Sequence, residues 1–233
     1  MDGSVLLWSL NCPTPIAKLK LPANVQNPRV QIDGTGAVFG VQVQDSLSGL
    51  HSIKLFDVRA YEKESFQDAV PDLSVLQSAV QKGLVAAGNE APSKATIQST
   101  LDTAWDSFQF SPNGKSLLVN TCADLLLLLE DTPELNVEPL AICSRKNDTG
   151  NALGACYSAD SKYVICGEEE GEVQVYELEW TESKAATLVN SLSGHVDPVG
   201  CVAANPAYDV IASGCVNTAL WIRNQDDEFM DTN

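Results

Sequence analysis

Basic residues are scarce in this chain: 14 Lys and Arg stand against 31 Asp and Glu, a net charge of −17. Direct binding of a nucleic-acid backbone takes a stripe of Lys and Arg. None is visible, so direct nucleic-acid binding is not expected. The acidic balance suits either a basic partner, such as a histone tail, or a surface that is simply well solvated. Histidine is nearly absent, with only His51 and His195. There is no G-x-S-x-G elbow, no Walker loop and no H-E-x-x-H pair. Gly34-Thr35-Gly36 reads as a hairpin turn rather than a phosphate cradle. The acidic runs Glu168-Glu169-Glu170 and Asp226-Asp227 fall in a strand turn and a tail. No catalytic residue, cofactor or metal site is therefore expected, and the chain does not read as an enzyme.

Long apolar runs are missing too. The longest, Leu125 to Leu129, is far short of the roughly 20 residues that a membrane-spanning helix needs, and it suits a buried strand. No membrane partner is expected. The opening "MDGSVLLWSL" has no basic flank and no small-residue cleavage site, so it does not read as a signal peptide. Seven cysteines, at 12, 122, 143, 156, 166, 201 and 215, make an odd count without a C-x-x-C. That argues against a zinc ribbon or a disulfide framework and for buried, reduced thiols in a reducing compartment.

What the chain does have is a repeat. An alternating strand ending on an aromatic or large apolar residue recurs as "SVLLWSL" (Trp8), "SIKLFDVR" (Phe56), "DLLLLLED" (Leu128), "EVQVYELE" (Tyr176) and "TALWIR" (Trp221). The spacings are 48, 72, 48 and 45, three of the four close to the roughly 40–45 residues of a WD-repeat propeller blade. A strand–turn–strand pattern precedes the last four ends: "VQIDGTGAVFGVQV", "FQFSPNGKSLLVNT", "CYSADSKYVICG" and "VAANPAYDVIASG". Their turns carry residues suited to hairpins, and Ser111, Ser158 and Asn205 are each 47 apart.

The fold expected is all-β, a WD-repeat β-propeller with blades over about 12–60, 61–133, 134–180 and 185–224. A lone outer strand, Ser4 to Trp8, stands before them. This pattern suggests the C-terminal four blades of a larger, seven-bladed ring. A loop insertion is expected over about 67–100. Within it Leu73, Leu76, Val80 and Leu84 share one helical face, with Asp72 as a candidate N-cap and Gly88 as a stop. Residues 225–233 read as an acidic tail.

Trp8, Phe56, Asp57, Tyr176, His195 and Trp221 occupy the positions that WD repeats use structurally. His195 follows Gly194 before an inner strand, where such a histidine usually bonds to a turn Asp. Here the short turn "SGCVNTALW" offers only Asn217 as a polar side chain. "FDVR" resembles the W-D-x-R box with which some WD-repeat proteins engage the adaptor of cullin-type ubiquitin ligases, which makes Asp57 and Arg59 candidate partner-binding residues.

The combination of Asn205-Pro206, Ala212-Ser213, Cys215, Asn217 and Ala219-Leu220-Trp221 in a shortened turn resembles the final blade of one family. That family is the WD-repeat subunit shared by COMPASS-type histone H3 lysine methyltransferase complexes and transcription-termination phosphatase complexes. "SIKLFDVRAYEKESF" is similar to that family's K-L-[YF]-D-x-R segment. The resemblance implies a nuclear, non-catalytic scaffold whose partners are subunits of a SET-domain histone methyltransferase complex. The C-terminal repeat of RNA polymerase II or a protein phosphatase complex are further partners it implies. It also implies that about three N-terminal blades of the ring are absent from this chain. The alternative expectation, resting on "FDVR", is a substrate receptor of a cullin-type ubiquitin ligase.

Overall fold

The computed structural model describes residues 3–61, 64–69, 78, 105–130, 141–178 and 186–222. They form antiparallel sheets, each built from strands consecutive in sequence. The first pairs β1 (Ser4–Leu7) with β2 (Ala17–Lys20). The second holds β3 (Val25–Ile32), β4 (Val38–Asp45), β5 (His51–Asp57) and β6 (Gln67–Ala69). The third holds β7 (Trp105–Phe110), β8 (Ser116–Thr121), β9 (Leu125–Glu130) and β10 (Ala141–Ser144). The fourth holds β11 (Ala155–Tyr157), β12 (Tyr163–Gly167), β13 (Glu172–Leu178) and β14 (Ala186–Ser193). The fifth holds β15 (Cys201–Ala204), β16 (Val210–Gly214) and β17 (Thr218–Ile222).

The strands that end on Phe56, Leu128 and Tyr176 are the third of four in their sheets, and the one that carries Trp221 is the third strand of a three-stranded sheet. Each four-stranded sheet is completed by a strand from the next stretch of sequence. Two expectations change accordingly. The opening strand is not alone, since it pairs with Ala17–Lys20 in the register Ser4↔Lys20 to Leu7↔Ala17. In the last sheet Thr218–Ile222 is the third strand in sequence and lies at the edge, and no fourth strand joins it among the described residues. The repeat read from sequence is thus one strand out of step with the sheets. Aromatic strand ends and polar turns punctuate the chain, but the backbone hydrogen-bond ladder decides sheet membership. Gln67–Ala69, assigned to the insertion, is the fourth strand of the second sheet. Apart from Ser78, the expected helix near 73–85 lies outside the described residues, as does the acidic tail.

The hairpin turns repeat in chemistry as well as spacing. Asp33, Ser111 and Ser158 each cap the turn between the first two strands of a sheet. Their side-chain oxygens accept the backbone N–H of Val38 (3.0 Å), Ser116 (3.0 Å) and Tyr163 (2.9 Å), five residues on. Such caps stabilise turns by satisfying amides that no ladder reaches. Three residues after each cap the backbone turns left-handed, at Gly36 (φ 71°), Gly114 (φ 68°) and Ser161 (φ 62°). Glycine takes that conformation freely, and serine takes it at a cost of order 1 kcal/mol. The Ser161 hydroxyl offsets part of this by accepting the Asn113 N–H from the neighbouring sheet's turn at 3.0 Å.

Successive sheets pack face to face. Phe39, Val41 and Phe56 of the second sheet cover Val5 and Leu19 of the first. Ile53 and Leu55 meet Phe108, Leu117 and Leu127 of the third. Leu126 and Leu128 meet Tyr157, Val164 and Tyr176 of the fourth. Ile165 and Val173 meet Val202, Ile211 and Trp221 of the fifth. The leucine run explains itself here: Leu125, Leu127 and Leu129 face one neighbour and Leu126 and Leu128 the other. A strand covered on both faces reads as continuously apolar. The backbones approach closely at Gly154, where a Cβ would lie 2.5 Å from the Val202 nitrogen. Among the described residues no sheet covers the outer face of the last sheet, and Leu220 and Ile222 are 67% and 74% exposed.

This packing sets the cost of truncation. Leu127→Ala should lower unfolding free energy by about 2–5 kcal/mol, whereas Leu220→Ala should change it by less than about 0.5 kcal/mol. Urea unfolding followed by tryptophan fluorescence checks both. Equal effects would mean that the leucine strand is not sandwiched.

Candidate functional site

The densest polar arrangement on the last sheet is built around His195. The imidazole Nε2 lies 2.7 Å from Ser213 Oγ and Nδ1 lies 2.6 Å from Asn217 Oδ1. Trp221 Nε1–H donates to the same Ser213 hydroxyl at 2.7 Å. All four groups are satisfied when Nδ1–H donates to Asn217, Nε2 accepts the Ser213 proton, and Ser213 Oγ accepts from the indole. Local geometry places them. Ser213 and Trp221 stand on paired strands β16 and β17, and Asn217 sits in the turn between. Gly194 is required beside His195 because a Cβ there would lie 2.8 Å from the Trp221 ring. The histidine ring also meets the indole edge-on, with centroids 6.2 Å apart.

Cys215 completes the cluster. Its sulfur lies 2.9 Å from Asn217 Oδ1 and 3.3 Å from His195 Nδ1. Burial pushes the thiol up, but the backbone N–H groups of Asn217, Val196 and Asp197 and the His195 side chain outweigh it. The result is a thiol drawn down to about 7. The other cysteines differ. Cys143, Cys156 and Cys166 are buried, and burial pushes their thiols up, Cys156 to about 11 and Cys166 to about 12. All seven are free, but Cys12 and Cys201 are exposed and Cys122 and Cys215 half-buried. The expectation of buried thiols therefore holds for three of them. Cys12 and Cys201 lie where no further sheet among the described residues covers them.

The remaining expected positions are dispersed. Trp8 follows β1 and is 53% exposed. Phe56 is buried and stacks on Phe39 with centroids 5.1 Å apart. The Tyr176 hydroxyl is bonded to the Ser144 carbonyl, and burial pushes its ionisation up. Asp57 and Arg59 engage each other at the end of β5. Arg59 Nη2 lies 3.0 Å and Nε 3.1 Å from the Asp57 carboxylate, which also accepts the Arg59 N–H at 2.8 Å. The pair lies at the surface, where ion pairs contribute little to stability. Among the described residues no group of His, Cys, Asp and Glu could hold a metal ion, and no helix is long and apolar enough to cross a membrane.

No family model matches the sequence. It is 26% identical over 223 residues to WD repeat-containing protein 82 of Drosophila melanogaster, covering 95% of this chain and 57% of that protein. It is 24% identical over 225 residues to Protein ANTHESIS POMOTING FACTOR 1 of Arabidopsis thaliana, covering 96% of this chain and 55% of that protein. The chain thus spans a little over half the length of these curated relatives. In structure it resembles the Cps50 (Swd1) β-propeller domain of Myceliophteria thermophila, with a TM-score of 0.60 at 12% identity over 92% of this chain and 62% of that one. The chain carries the WD-repeat β-propeller fold.

Within the propeller, His195, Ser213 and Trp221 form the hydrogen-bonded chain that ties the last blade's loop to its sheet. Asn217 is the turn side chain that takes up His195 Nδ1. Sequence reasoning missed a second polar centre, Arg145, in the loop between β10 and β11. Its guanidinium is buried and donates to Asn120 Oδ1 (2.9 Å) and the Thr121 carbonyl (2.6 Å) in its own blade. Across the interface it reaches the Leu153, Gly154 and Gly167 carbonyls at 3.4–3.5 Å. Desolvation draws its ionisation down. Carbonyl oxygens rather than a carboxylate meet the charge, so a search for paired acids and bases in the sequence finds no sign of it. One lone arginine after an apolar strand was the available signal.

The chain from His195 to Trp221 is testable by subtraction. Ser213→Ala leaves an indole N–H and an imidazole nitrogen without partners and should cost about 1–3 kcal/mol in unfolding free energy. Ser213→Thr, which keeps the hydroxyl, should recover most of it in the same denaturation assay.

Proposed function

We propose that this chain is a non-catalytic scaffold of a nuclear histone H3 lysine methyltransferase complex, linking it to transcription by RNA polymerase II. The observation that carries the reading is the last blade: Cys215 and Asn217 in a shortened turn, wired to His195, Ser213 and Trp221. It resembles the final blade of the WD-repeat subunit of COMPASS-type complexes. The similarity to WD repeat-containing protein 82 along nearly all of this chain supports it. A propeller suits scaffolding because its rigid blades present many loops on two broad faces. The partners proposed are SET-domain methyltransferase subunits, with the polymerase C-terminal repeat or a protein phosphatase complex as further contacts. The ubiquitin-ligase alternative gains little from the geometry: Arg59 folds back on Asp57 with two of its nitrogens, which occupies the group that would reach an adaptor.

Affinity purification of the full-length gene product with mass spectrometry should recover a SET-domain histone methyltransferase. The purified protein alone should have no methyltransferase activity, and its depletion should lower histone H3 lysine methylation at active genes. Recovery of a cullin adaptor alone, lost on Arg59→Ala, would replace this reading with the ubiquitin-ligase one.

A further inference from the structure

We propose that the free edge of β17 is a docking site for an extended, basic segment of a partner protein, which adds to the last sheet as its fourth strand. The structure itself shows how such a place is filled. In the second, third and fourth sheets the third strand pairs antiparallel with a fourth: β5 with β6, β9 with β10 and β13 with β14. Among the described residues β17 has a partner on one side only, β16. An open strand edge presents the N–H and C=O groups of alternate residues, which template a further strand. Edges that stay solvated are blunted by charges, proline or a bulge. The sequence of β17 is Thr-Ala-Leu-Trp-Ile, in unbroken register with β16, so it carries none of these.

Shape and charge define the occupant. One face of an added strand continues that of Ala219 and Trp221, toward the fourth sheet, where Leu192 packs against the same cluster as Trp221. The other face lies with Leu220 and Ile222. Buried positions on the existing fourth strands are small, with Cys143 and Ala186 0% and 3% exposed. A fitting segment therefore has a small residue at every second position. Acids stand at both ends of the edge. Exposed Asp209 precedes Val210, which pairs with Ile222, and exposed Asp197 lies two residues after His195, which is bonded to Asn217 just before β17. Residues 186–222 contain no Lys or Arg. A segment with Lys or Arg at both ends matches this pattern. A second copy of the chain does not, because each copy brings a net charge of −17. The open edge of β1 suits a basic segment less, since its partner strand β2 exposes Lys18 and Lys20.

Strand addition takes its affinity from main-chain hydrogen bonds and its specificity from alternate side chains. The site thus reads a pattern, small residues alternating between basic ends, rather than one fixed sequence. Its charged contacts lie at the surface, so binding weakens as salt rises. The proposal does not depend on which complex the chain joins.

The test uses the full chain and a fluorescein-labelled peptide, KRSVSVTVKR, followed by anisotropy and by hydrogen exchange. The peptide should bind and slow the exchange of β17 amides by roughly tenfold or more while leaving those of β1 unchanged. A peptide with acidic ends, DESVSVTVDE, should bind roughly tenfold more weakly or worse. N-methylation of alternate peptide residues should abolish binding, because it removes the main-chain donors. Leu220→Lys places a charge on an exposed side chain of the edge and should block the basic peptide. Ile222→Lys serves the same purpose if that variant does not fold. Equal binding of the two peptides, or binding of the basic one without slower exchange at β17, would overturn the proposal. So would β17 amides that already exchange slowly in the free chain, because its edge would then be occupied by another part of the chain or by a second copy.

Discussion

Burial of the inner sheets between two neighbours is the constraint on which this structure depends. No single blade could bury its apolar residues alone, since a four-stranded antiparallel sheet has two faces and no interior. The third sheet shows the solution most fully. Its leucine strand sends alternate side chains into two separate cores, one shared with the blade before and one with the blade after. Stability in such an array is close to a sum of blade and interface contributions. The interfaces carry polar ties as well as apolar contact. Gln42 donates to the Trp105 carbonyl at 2.8 Å, Asn120 to the Leu153 carbonyl at 2.7 Å, and the buried Arg145 bridges the third and fourth blades. These ties satisfy backbone groups that the tight approach of neighbouring strands would otherwise strand without water.

The same constraint explains where polar chemistry gathers. In the inner blades, side chains such as Arg145 and Tyr176 are committed to holding sheets together. In the last blade the hydrogen-bonded chain from Trp221 through Ser213 and His195 reaches Asn217 and Cys215 at the surface. One end of this chain is structural and packed, while the other lies in a turn open to solvent. A change at the turn therefore bears on how the loop before β15 is held. The proposed scaffold role needs only the rigid part.

Much of the architecture was legible in the sequence. The 47-residue spacing of Ser111, Ser158 and Asn205 marks side chains that cap equivalent turns, and the Gly194-His195 pair marks a loop pinned beneath Trp221. Hydrophobic alternation located the strands because it reports which face is covered. It could not assign the fourth strand of each blade, because Ala17–Lys20 and Gln67–Ala69 are short and separated from their sheets by loops. Sheet membership is a matter of hydrogen bonding between distant segments, which local pattern does not encode. Arg145 escaped for a related reason: its partners are four backbone carbonyls and one amide side chain brought together by folding, not a carboxylate that a sequence displays. The low-lying Cys215 thiol was hidden likewise, since backbone N–H groups and not a neighbouring lysine or arginine draw it down.

Native-state hydrogen exchange followed by mass spectrometry tests the sandwiching of blades most directly. Amides of β8 and β9, in the sheet covered on both faces, should exchange slowest, at rates set by the largest unfolding events. Those of β17, with one face uncovered, should exchange at least about tenfold faster, which corresponds to roughly 1.4 kcal/mol less protection. Uniform protection across β8, β9 and β17 would contradict the account, because it would mean that stability does not depend on a sheet having a neighbour on each side.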